Sequence, residues 1–82
     1  MATTILDLKE WLSRGKRKGA SHMIVVCDTF NWEDFPVYVM PEQDAKKEFN
    51  TEDKKPMQKV MEIYNLNKDL EQQINQHRAF EF

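Results

Sequence analysis

The side chains with the clearest binding chemistry fall in two short stretches. One is the aromatic and polar run Thr29-Phe30-Asn31-Trp32-Glu33-Asp34-Phe35-Pro36, and the other is the basic run holding Arg14, Lys16, Arg17 and Lys18. Trp32, and Tyr38 just beyond the first run, offer flat rings with a polar edge on which a base could stack. Asn31 carries both a donor and an acceptor and could read a base edge. Arg78 could take a phosphate bidentately, with His77 beside it as an anion or purine contact. Arg14, Lys16, Arg17 and Lys18 could do so from the other wall of a groove. This set defines the expected ligand site, suited to a phosphate-bearing, base-containing small molecule bound without being altered.

Each feature also has a plainer reading. The loop aromatics could close a small core or form an oligomer interface. The basic run suits the last turn of a helix, where cations meet the negative end of the dipole, and the same holds for His77 and Arg78.

Catalysis is not expected. Asp28-Thr29 follows an apolar run, where some phosphotransfer enzymes hold a nucleophilic aspartate. Those enzymes need a parallel sheet and further charged groups that so short a chain cannot supply. Asp28 reads instead as a turn-former whose carboxylate accepts backbone N–H groups. His22, Asp28, Glu33 and Asp34 lack any zinc or calcium spacing, so no metal and no cofactor are expected.

Eighty-two residues and 9.8 kDa allow one domain, spanning 1–82, with a thin core. A hydrophobic fraction of 40% with 32% charged residues argues for a folded, soluble chain. The single cysteine, Cys27, lies in an apolar run and favours a reducing, cytoplasmic setting. No apolar stretch approaches the ~18–20 residues of a membrane span, and the first residues lack the order of a signal peptide. The net charge of −2 is unevenly spread: residues 1–22 hold five basic and two acidic side chains, whereas 28–53 hold two and eight. So acidic a middle argues against a nucleic-acid platform.

The elements that must position these residues make an α+β fold: an N-terminal helix, an antiparallel β-hairpin with a long loop, and C-terminal helices. Thr4 and Asp7 have the spacing of a helix start, Ile5, Leu8 and Leu12 form its buried stripe, and Gly15 or Gly19 ends it. Met23-Ile24-Val25-Val26-Cys27, within a strand over 22–30, is apolar on both alternating faces and suits a central strand covered on both sides. Val37-Tyr38-Val39-Met40 is the returning strand. Residues 42–49 predict a short helix. Pro56 then opens a helical stretch in which Met57, Val60, Met61 and Tyr64 form one stripe and Leu66, Leu70, Ile74 and His77 a second. Phe80 and Phe82 predict a docked tail. Two strands alone are marginal, so a partner chain could extend the sheet. The excess of aromatics over what the core can hide points to a homo-oligomer, most simply a dimer.

The run His22-Met23-Ile24-Val25-Val26-Cys27-Asp28-Thr29-Phe30, then Trp32-Glu33-Asp34-Phe35-Pro36-Val37-Tyr38-Val39, resembles a pattern in short hypothetical proteins of tailed phages and their hosts. Met57 to Tyr64 and the ending His77-Arg78-Ala79-Phe80 share it, so the resemblance covers about two-thirds of the chain. It implies a phage-encoded protein in the host cytoplasm, and small phage proteins of this kind often counter host defences. Two functions follow as expectations. The first is a sponge that sequesters a nucleotide-like signal. The alternative is a protein inhibitor or adaptor whose acidic middle acts on a host defence protein, as a mimic of a nucleic-acid surface.

Overall fold

The computed structural model describes residues 4–76 and 79–82, apart from the side chain of Ile5, so the part of the predicted stripe that rests on Ile5 lies outside the described residues. Helix α1 (Ile5–Lys18) starts as its sequence requires. The Asp7 N–H donates to Thr4 Oγ1 at 3.1 Å, and the Thr4 N–H donates back to the Asp7 carboxylate. Gly19, at φ 78°, ends the helix in the left-handed conformation that glycine accepts without strain.

Strand β1 (His22–Asp28) lies between β2 (Glu33–Val39) and β3 (Gln58–Asn65), antiparallel to both. Met23 and Val25 face a core built with Leu8, Leu12, Ala20, Tyr64 and Leu66. Ile24 and Val26 face the other way, onto Val39, Ile63, Phe35 and Phe49. Helices α1 and α3 (Leu70–Ile74) cover the first face and α2 (Ala45–Lys54) covers the second. The central strand is therefore buried on both sides, as its unbroken apolar run predicts.

The α+β class and the hairpin stand, with a tighter connection: residues 29–32 turn the chain, and Glu33 to Pro36 already belong to β2. The predicted helix over Met57 to Tyr64 is overturned. From Gln58 onward that segment is β3, and it extends the sheet from within the chain, where the sequence left room for a partner chain to do so. Pro56 accordingly sits in the turn before a strand rather than at a helix start. A bulge caused the misreading. Val25 pairs with Glu62 and Val26 with Val60, so Met61 is the extra residue. The bulge puts Val60 and Ile63 on one face and Met61 and Tyr64 on the other, and this spacing of three imitates a helix. Of the second predicted stripe, Leu70 and Ile74 are helical and Leu66 is not, while His77 lies outside the described residues.

Two further devices close the fold. Gln73, buried in α3, receives the Asn65 N–H at 2.7 Å and donates to the Asn65 carbonyl at 2.9 Å, which secures the end of β3. The tail then docks on its own chain. The Ile63 N–H donates to the Ala79 carbonyl and the Glu81 N–H to the Ile63 carbonyl, while Phe80 and Phe82 meet Phe49 edge-on at 6.1 and 5.2 Å.

Gly15 is needed for packing rather than for a turn: a Cβ there would lie 2.8 Å from the Tyr38 ring and 2.9 Å from Leu66. Alanine adds about 1 kcal/mol of helix propensity, but overpacking costs about 1–3 kcal/mol. Tyr38 cannot easily yield, because its hydroxyl donates to the Trp11 carbonyl at 2.8 Å. Gly15→Ala is therefore expected to lower stability in urea denaturation. Gln73→Leu, which orphans both backbone groups of Asn65, is expected to remove about 2 kcal/mol or more in the same measurement.

Candidate functional site

Three large apolar side chains stand in solvent at one end of the sheet. Phe30, Trp32 and Met57 are 76%, 58% and 59% exposed. They converge because Asp28 pairs with Gln58 and the Thr29 N–H donates to the Met57 carbonyl at 2.9 Å, joining the hairpin turn to the entry of β3. The turn is tightly specified. Asp28 Oδ1 accepts the Phe30 N–H at 2.8 Å, Asn31 Oδ1 accepts the Glu33 N–H at 3.1 Å, and the Trp32 N–H donates to the Asp28 carbonyl at 2.7 Å. Asp28 thus forms the turn its sequence position implies.

Trp32 and Met57 share a second property. They are the described non-glycine residues with positive φ, at 58° and 61°. Left-handed backbone at such residues costs on the order of 1 kcal/mol or more, and Gly or Asn would relieve it. Two strained positions therefore carry exposed apolar side chains side by side. The ammonium of Lys59 lies 5.9 Å from the Trp32 ring centre, and Asp28, Glu33 and Asp34 surround the turn with carboxylates. Asp34 also bears on the Cys27 thiol, whose proton affinity is raised by burial first and by this carboxylate second.

The structure divides the predicted ligand residues. Asn31 and Trp32 sit at the tip, with the Asn31 carbonyl oxygen committed to the turn. Tyr38 is six residues away along β2, about 20 Å at ~3.3 Å per residue, so one chain does not bring the two rings together. Around Tyr38 the basic run does gather: Lys18 Nζ is 5.1 Å from its ring centre, and Arg14 and Arg17 act on it electrostatically. Burial raises the Tyr38 phenol above its ordinary value, and the two arginines pull it back. Lys16 points away from this group, to the flank of α1 that faces α3. His77 and Arg78 lie outside the described residues.

Phe35, grouped in the sequence with the loop aromatics, packs into the core beside Val26 and Val39. Met57 was assigned to a buried helical stripe and is instead part of the tip. Nothing in the local sequence marks it, because its exposure depends on β3 being a strand. His22 and Asp28 occupy opposite ends of β1. Among the described residues no three His, Cys, Asp or Glu side chains could hold a metal ion, and none of their helices is long and apolar enough to cross a membrane.

Comparison with protein-family models, with curated proteins and with solved structures finds no match.

The strain at Met57 can be measured. Asparagine tolerates the left-handed region without the extra chain entropy of glycine. Met57→Asn is expected to raise the unfolding free energy by about 0.5–1 kcal/mol. A loss of that size in chemical denaturation would mean that the Met57 side chain is packed rather than presented.

Proposed function

We propose that this chain is a non-catalytic binding protein that acts by inserting its Phe30–Trp32–Met57 tip into a pocket on another protein, as an inhibitor or adaptor. One observation carries the reading: large apolar side chains are presented together in water, two of them on strained backbone. Interface hot spots are enriched in such aromatic and Met anchors. Strain retained at exposed positions has no benefit for folding, whereas it is common where a surface is shaped for recognition. The carboxylates of Asp28, Glu33 and Asp34 beside the rings would repel a phosphate, which favours a protein over a nucleotide at this end. The resemblance to phage proteins points to a host defence protein as the partner.

A second reading has its own support. Lys18 stacked on Tyr38, with Arg14 and Arg17 around them, is a cationic surface with an aromatic floor. It suits a nucleotide-like anion, the sponge activity expected from the sequence. In that reading the protein is a homo-oligomer, because Asn31 and Trp32 reach this surface only from another copy. Pro36 works against the simplest assembly, pairing through the free edge of β2, since it withholds a backbone donor.

Trp32→Asn separates the two. The protein reading expects unchanged or higher thermal stability together with loss of partner cross-links at Lys59 when tagged protein is used as bait in host extract. Cross-links that persist in the variant would contradict it. The sponge reading expects instead an intact nucleotide released on denaturation, with its retention lost in Lys18→Gln.

A further inference from the structure

We infer that the cleft between α1 and α3 is a second binding site, for a short-chain amphiphilic monocarboxylate. Its α1 wall is Lys9, Leu12, Ser13 and Lys16, at i, i+3, i+4 and i+7 and therefore on one helix flank. The opposing wall is Leu70, Glu71 and Ile74. Because α3 has only five residues, it covers part of the α1 flank and leaves a cleft of about 210 Å3.

The floor is apolar: Leu12 is fully buried, and Leu70 and Ile74 are half-buried against the same core. The two lysines mark the ends, seven residues or about 10 Å apart along the helix. They differ in charge balance. Lys9 is paired across the cleft with Glu71 at 3.6 Å. Lys16 has no ion pair among those of the described residues, and the Ser13 hydroxyl lies one turn before it.

An occupant that satisfies this arrangement has one negative head at Lys16 and Ser13 and an apolar body running over Leu12, Leu70 and Ile74 toward the Lys9–Glu71 pair. The cleft is open to solvent along its length, so it admits a short aliphatic chain without enclosing it. A phosphate dianion fits poorly, since one uncompensated lysine faces it and Glu71 repels it. A ligand of about ten heavy atoms in so open a site binds weakly, with a dissociation constant on the order of 1 mM.

The test is a methyl-detected NMR titration with octanoate, repeated with octanol. The Leu12, Leu70 and Ile74 methyl signals are expected to move together, while the Met57 methyl at the tip stays still. Octanoate is expected to bind up to about fivefold more tightly than octanol, the upper end for an exposed charge pair. That preference is expected to vanish in Lys16→Gln and to remain in Lys18→Gln. Ser13→Tyr, an exposed substitution that fills the cleft, is expected to abolish the shifts with the fold intact. Shifts spread over other methyls, or octanol binding as well as octanoate to the unaltered protein, would overturn the assignment.

Discussion

Burial of β1 on both faces is the constraint from which the rest of the molecule follows. Met23, Ile24, Val25 and Val26 leave no side of the strand that can face water. A hairpin partner protects one edge and neither face. The chain therefore places β3 on the second edge, α1 and α3 on one face, and α2 on the other. For 82 residues this is a demanding arrangement, and it explains the economy of what surrounds the sheet. One buried glutamine secures the end of β3, and a few tail residues cover its outer edge by pairing with Ile63.

Against that economy the tip is an exception. With core side chains scarce, a chain that leaves Phe30, Trp32 and Met57 in water forgoes burial worth about 1.5–3 kcal/mol for a side chain of that size. Phe80 and Phe82 also keep partial exposure, but Phe49 partners both, so their role is structural. Among the described residues no comparable ring contact accounts for Phe30 or Met57. The difference between Phe30 and Met57 and these tail rings is what makes the tip, rather than the tail, the functional candidate.

Local signals carried much of this into the sequence. The Thr4–Asp7 pair gave the start of α1, the glycines at 15 and 19 narrowed its end to two positions, and the apolar run of β1 gave its central place, because each depends on residues close in the chain. The signals failed where an interaction is distant or a period is broken. The bulge at Met61 shifts the alternation of β3 by one residue, so a strand took on helical spacing. Gln73 reads as an ordinary helical glutamine until β3 ends beside it. The candidate site was half legible. The turn with Asn31 and Trp32 stood out by composition, but Met57 joins it only through the sheet. The basic run looked like one patch, yet the turn of the helix sends Lys18 to Tyr38 and Lys16 to the α3 side.

The central claim, that the strained tip is the recognition surface, is most directly tested by amide hydrogen exchange of the protein free and bound to its partner protein. The account expects new protection confined to the amides of residues 29–33 and 57–59, with residues 14–18 and 38 unchanged. Protection gained at 14–18 and 38, with the tip exchanging as it does in the free protein, would contradict it.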